Sequence, residues 1–151
     1  MEYLEITDIK EKSMITNKIL RKLPEWFGVE SSIIEYVNEV TQMTFYVAVD
    51  KQEAIGFIAL KQHNEITSEI NVMGILSEYH RQGIGAKLVE MCEQNLQKGQ
   101  VLTVKTLAAT HPDRHYAKTR KFYEKMNFVS LEVFTQIWGE ENPCLFLAKF
   151  I

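Results

Sequence analysis

The stretch that most restricts what this chain can fold into is Glu69-Ile70-Asn71-Val72-Met73-Gly74-Ile75-Leu76-Ser77-Glu78-Tyr79-His80-Arg81-Gln82-Gly83-Ile84-Gly85-Ala86-Lys87-Leu88. It runs from a strand pattern through a tight polar loop into a helix. Two glycines two apart at the start of a helix let the backbone turn sharply and leave its first N–H groups unobstructed. The helix dipole makes that end favourable for anions, so a phosphate-bearing ligand fits there. Glycines also begin helices for conformational reasons alone, so the pair is not specific by itself. A dinucleotide-binding fingerprint needs a third glycine where Leu88 stands, and a Walker A loop needs Gly-Lys-Ser/Thr, which the segment lacks.

The flanking segments supply the remaining elements. Tyr3 to Thr7 reads as a short strand, and Asp8 is placed to cap a helix carrying Ile9, Met14, Ile15, Ile19 and Leu23 before Pro24 ends it. A turn, Pro24-Glu25-Trp26-Phe27-Gly28, leads to a second helix over about Glu30 to Thr41, with Ile33, Ile34, Val37 and Val40 on one side. Strands are expected at Thr44 to Val49 and Ala54 to Gln62, around the turn Asp50-Lys51-Gln52-Glu53, and at about Thr67 to Leu76. A helix over Gly83 to Gln97 should stop at Gly99. Then come a strand from Val101 to Leu107, a helix from about Tyr116 to Met126, and strands near Phe128 to Ile137 and Leu145 to Phe150. The order βααβββαβαββ places the chain in the α/β class, a mixed central β-sheet with helices on both faces.

Nothing in the chain marks a linker or repeat, so 1–151 is expected to form one domain. Its apolar share of 46% over 151 residues is enough for one substantial core. The formal charge of −3 is spread over interleaved acids and bases, without the basic stripe that a nucleic-acid partner requires. No apolar run approaches membrane-spanning length and the first residues do not resemble a signal peptide, so no membrane partner is expected and the location is expected to be cytoplasmic. Cys92 and Cys144 have no CxxC or His-rich partner nearby and read as buried reduced thiols.

The central segment is similar to motif A of the GNAT acetyltransferases, Gln/Arg-x-x-Gly-x-Gly/Ala between a strand and a helix. The segment Phe122-Tyr123-Glu124-Lys125-Met126-Asn127-Phe128 resembles a second part of that family, and the element order is similar over almost the whole chain. The chain departs from the family pattern by carrying His80 at the Gln/Arg position, Arg81 where glycine is frequent and Asn127 where glycine usually precedes the last phenylalanine. The resemblance implies acetyl-CoA as the acetyl donor, an amine acceptor, and an N-acetyltransferase activity. It puts the cofactor at Arg81, Gln82, Gly83, Ile84, Gly85, Ala86 and Lys87, with backbone near Met73 facing the oxyanion and Ile75 lining the pantetheine arm. Gly74 then either marks a bulge or lets the strand pack closely under a helix.

Acetyl transfer needs a neutral amine, while a lysine-like amine with pKa about 10.4 is protonated at neutral pH. A base must take that proton, and an acid can protonate the departing thiolate. By resemblance Glu69 is the base and Tyr123 the acid. On an alternating strand Glu69 shares a face with Asn71, Met73 and Ile75, but four residues of strand span roughly 13 Å, so it would act through water. Glu69 also reads as meeting solvent at the strand's beginning, and Tyr123 as an aromatic core contact.

For the acceptor, the resemblance points to the two N-terminal helices and the loop before the last helix: Trp26, Phe27, Glu30, Tyr36, His111 and Tyr116, with Asp113 and His115 beside them. Trp26 and Phe27 also read as a hydrophobic plug between helices. His111, Asp113 and His115 are metal-ligand types without a supporting set elsewhere, so no metal is expected. Trp138 to Pro143 is open as a hairpin tip or a dimer contact, leaving monomer and homodimer as alternatives. A non-catalytic acetyl-CoA sensor or interaction module is the competing function.

Overall fold

The computed structural model describes residues 1–151. Its elements are β1 (Glu2–Glu5), α1 (Ile9–Leu20), α2 (Glu30–Glu39), β2 (Thr44–Asp50), β3 (Glu53–Gln62), β4 (Thr67–Ile75), α3 (Ile84–Gln94), β5 (Val101–Leu107), α4 (Arg114–Lys125), β6 (Val129–Phe134) and β7 (Cys144–Phe150), which is the order expected. Strand order is β1-β2-β3-β4-β5-β7-β6. The chain divides into two compact units, the first comprising 1–62 and 70–95 and the second 63–69 and 96–151, so β4 contributes residues to both.

In the first unit the β2–β3 turn is tight. Lys51 and Gln52 have φ of 51° and 67°, and Asp50 pairs with Glu53. Positive φ at both central residues matches the twist of the flanking strands. Asp8 caps α1, its Oδ2 accepting from the Glu11 N–H at 3.0 Å. α1 buries Ile15, Ile19 and Leu20 but leaves Ile9 and Met14 exposed, and α2 buries Ile33 while Ile34 faces outward. The buried face is therefore narrower than the run of apolar residues suggested, because each helix presents only one stripe to the sheet. Arg21 and Glu30 bridge the ends of the two helices through paired contacts of 2.7 Å.

Two glycines bring the helices close. A Cβ at Gly74 would stand 3.1 Å from Ile19 and 3.2 Å from Phe57, and one at Gly56 would stand 3.1 Å from Ile75 and 3.6 Å from Ile84. The α1 residue Ile19 thus approaches one side of β4 and the α3 residue Ile84 meets the other side of this sheet, which accounts for helices on both faces. Close packing under α1 explains glycine at position 74. α3 ends at Gln94, three residues before the expected stop, and Asn95 behind it hydrogen-bonds the Tyr46 hydroxyl. Gly99, φ 96°, serves the later turn into β5 instead. Burial pushes the Cys92 thiol, inside this unit, up to about 12.

The second unit is built on β5, β7 and β6, paired antiparallel, with α4 against β5. Leu102, Val104, Leu147 and Ala148 are buried, while β6 leaves Val129, Leu131 and Val133 exposed. α4 closes with a left-handed residue, Asn127 at φ 70°. The Phe128 N–H reaches Tyr123 O at 3.0 Å and the Asn127 N–H reaches Glu124 O at 3.0 Å. These two bonds, with the Tyr123 and Phe128 rings 5.3 Å apart, form a Schellman end with its apolar contact. The Cys144 thiol, also buried, is raised by that burial, with Lys105 pulling it down and Glu69 pushing it up.

Candidate functional site

The start of α3 is an uncapped set of donors. No side chain caps Gly83, and Lys87 is the first residue whose N–H turns back, to Gly83 O at 3.1 Å. The N–H groups of Ile84, Gly85 and Ala86 therefore have no intrahelical acceptor. Gly83 has φ 78°, and a Cβ placed on it would meet nothing within 4 Å, so no neighbouring side chain crowds the turn into the helix. Arg81, Gln82 and Lys87 are exposed around it. An anion of pyrophosphate type fits this donor set.

The loop before the donors is fixed from below. The Leu76 N–H donates to Ile55 O at 2.9 Å, and the Tyr79 hydroxyl donates to Asp50 at 2.7 Å. His80 Nε2 stands 2.6 Å from Ile75 O. A carbonyl only accepts, so the His80 proton lies on Nε2, and the ring ties the end of β4 to the loop. Arg81 follows with φ 64°, a conformation that glycine adopts without strain and other residues do not. Along β4, buried Ile70, Val72 and Gly74 alternate with half-buried Asn71, Met73 and Ile75. Met73 and Ile75 therefore lie on one face, with Asn71, whose amide donates to Glu39 at 3.1 Å.

Of the residues expected at the acceptor, Trp26 meets the loop residue His80 edge to face at 5.6 Å, and Phe27 meets Tyr36 at 5.9 Å. All except the exposed His80 are half-buried, so Trp26 lies against the loop that precedes α3 and Phe27 lies against α2. Glu30 is exposed and engaged by Arg21, whose guanidinium holds its carboxyl below the ordinary range.

The second unit holds a cluster that the residue pattern did not announce. Glu69 is buried, and its side chain is 9% exposed. His63 Nε2 lies 2.6 Å from Glu69 Oε1, and Lys105 Nζ donates to Glu69 Oε2 at 3.1 Å. Lys105 also stands 6.0 Å from the centre of the Phe146 ring. Glu69 is thus held by two partners and does not face open solvent. Its burial was hidden because the partners come from a turn and from another strand. One signal was available: a lysine within the apolar run Val101 to Leu107 calls for an acidic neighbour on its own face.

Tyr123 is 4% exposed, with the Phe122 and Phe128 rings edge-on at 5.2 and 5.3 Å. In the loop before α4, Asp113 caps the helix by accepting from the His115 N–H at 2.8 Å. His111 Nδ1 accepts from the Asp113 N–H at 3.2 Å, so these side chains serve the turn itself. Tyr116 is half-buried on the first turn of α4. No group of three or more His, Cys, Asp or Glu side chains is arranged to hold a metal ion. No helix is long and apolar enough to cross a membrane.

A family model described as an acetyltransferase (GNAT) domain matches residues 41–130. No curated protein matches by sequence. Among solved structures, the aminoglycoside 6'-N-acetyltransferase from Enterococcus faecium superposes with a TM-score of 0.72 at 22% identity, covering 99% of this chain and 96% of that one. An aminoglycoside 6'-N-acetyltransferase complexed with coenzyme A gives 0.74 at 22% identity, over 99% and 96%. The ribosomal-protein-S18-alanine N-acetyltransferase from Escherichia coli gives 0.74 at 13%, over 97% and 92%. At these identities the structural likeness speaks for the fold.

Proposed function

The chain belongs to the GNAT acetyltransferase family, and we propose that it is an acetyl-CoA-dependent N-acetyltransferase that moves the acetyl group to a primary amine of a small molecule or peptide by direct attack on the thioester. The observation that carries this reading is the glycine-led, uncapped start of α3 that follows β4, with three N–H donors that have no intrahelical acceptor. Residues 1–151 are read as one catalytic domain, working in the cytoplasm as a monomer or homodimer, without metal, nucleic acid or membrane.

Arg81, Gln82 and Lys87 surround the donors of Gly83, Ile84, Gly85 and Ala86 that hold the pyrophosphate, Met73 borders the acyl end and Ile75 lines the pantetheine arm. Acetyl-CoA supplies the activated acyl group. The acceptor lies against Trp26, Phe27, Glu30 and Tyr36, with His111 and Tyr116 contributing from the loop and the start of α4. The amine proton passes through water to Glu69, and backbone N–H near Met73 stabilises the oxyanion. Tyr123 gives its proton to the departing thiolate. Its ring also seals the end of α4, so Tyr123→Phe separates the two duties by keeping the ring contact and removing the hydroxyl alone.

The test is thiol release from acetyl-CoA against a panel comprising an aminoglycoside, spermidine, lysine and short peptides with free N-termini. Amine-dependent release, with Tyr123→Phe cutting turnover at least about tenfold while acetyl-CoA affinity stays within about twofold, is the expected result. Acetyl-CoA binding without transfer to any amine would make the chain a sensor. Absence of binding would remove the reading altogether.

A further inference from the structure

Within the first unit, three parts of the chain meet at His80. Its Nε2–H donates to Ile75 O at 2.6 Å, at the end of β4. Its ring lies edge to face with Trp26, 5.6 Å between centres and 74° between planes, and Trp26 belongs to the turn between α1 and α2. Its backbone leads through Arg81 and Gln82 to Gly83 and the unpaired N–H groups of α3. The imidazole is therefore committed to the framework of its own loop, although the residue is exposed.

What these contacts hold is strained. Arg81 has φ 64°, a conformation that costs a non-glycine residue free energy and persists where its surroundings impose it. Up to Tyr79 the loop is fixed by the Leu76 and Tyr79 bonds described above. Beyond it, the side-chain ties are those of His80 and a longer bond of 3.3 Å from the Gln82 amide to Glu78 O. The turn behind the imidazole is itself anchored: the Trp26 and Phe27 N–H groups both donate to the carbonyl of buried Leu23, at 3.1 and 2.9 Å. A shift of the imidazole is thus resisted by Ile75 O on one side and by the indole on another.

We propose that His80 is a positioning residue that couples the acetyl-CoA site to the turn carrying Trp26. With the indole behind it, the ring keeps Arg81 left-handed and the first N–H groups of α3 in place for the pyrophosphate. Coupling of this kind is reciprocal, so a bound pyrophosphate fixes His80 and Trp26 in return. The inference rests on the acetyltransferase reading above, in which Trp26 borders the acceptor. It gives Trp26 a second duty, support of the cofactor loop.

The experiment is a double-mutant cycle on acetyl-CoA affinity, by calorimetric titration of the wild type, His80→Ala, Trp26→Leu and the double variant, with His80→Ala repeated in an Arg81→Gly background. Indole emission is recorded in Trp138→Phe, where Trp26 is the remaining tryptophan. His80→Ala should weaken acetyl-CoA binding about tenfold, the size of the strain it releases. Trp26→Leu should weaken it roughly threefold, and the double variant no more than His80→Ala alone. In the Arg81→Gly background the effect of His80→Ala should shrink to about twofold, because glycine leaves no strain to hold. Acetyl-CoA should shift the Trp26 emission, and the shift should vanish with His80→Ala. Losses that multiply in the double variant, an unshrunk effect in Arg81→Gly, or an emission that ignores acetyl-CoA would each overturn the coupling and leave the acetyltransferase reading standing. Absence of acetyl-CoA binding by the wild type would remove both.

Discussion

The start of α3, in the first unit, and the Glu69 cluster, in the second, solve the problem of placing polar groups in opposite ways. At α3 the donors belong to the backbone, and side chains matter mainly by staying out of the way: none crowds Gly83, and none caps the helix. At Glu69 the groups are side chains drawn from a turn and two strands, meeting at 2.6 and 3.1 Å. The first arrangement needs a local conformation and survives changes of side chain. The second needs three distant positions to coincide, and removing any one leaves the others short of a partner.

The largest effect expected from that contrast is in the cluster. Lys105→Met leaves the buried Glu69 carboxylate with one donor and should cost on the order of 3 kcal/mol, a fall of roughly 10 °C in Tm. Adding Glu69→Leu should recover part of the loss, and a thermal-melt double-mutant cycle reads the coupling. Additive losses would break the comparison, because the cluster would then be three independent residues.

A smaller effect is expected at α3. Gly83→Ala puts a side chain on a residue at φ 78° and should weaken acetyl-CoA binding about tenfold while costing about 1 kcal/mol of stability. Arg81→Gln should weaken binding by no more than about threefold at physiological salt, since an exposed charge is screened. Calorimetric titration of the two variants checks this. A larger loss in Arg81→Gln than in Gly83→Ala would show that side-chain charge, not backbone, holds the ligand.

The smallest expected effect concerns the left-handed positions that the chain fills without glycine. Asn127→Gly at φ 70° should stabilise by roughly 0.5 kcal/mol, and Arg81→Gly at φ 64° by somewhat more, because asparagine tolerates this conformation better than arginine. Denaturant midpoints at constant m-value measure both. Both departures from the family pattern thus keep the conformation that glycine would have adopted.

Much of the fold was legible because it is written locally. Asp8 announced the cap it makes, the run Asp50 to Glu53 announced its turn, and alternation along β4 separated Met73 and Ile75 from Val72 and Gly74. Helix ends were less legible. α3 stops at Gln94 and Asn95 bonds Tyr46, a contact 49 residues away that no window along the chain contains. Exposure of Ile34 and Met14 was hidden for the same reason, since spacing says which residues share a stripe but not how much of it is covered.

The uncapped start of α3 was determined by the sequence alone, because its donors are the helix's own N–H groups and its shape follows from glycine at position 83. Tertiary structure decided what Glu69 is. A carboxylate two residues into a strand reads the same whether it meets water or is enclosed. Only the folding of His63 and Lys105 onto it settles its surroundings, because hydrogen bonds between side chains depend on distances in space that separation along the chain does not encode.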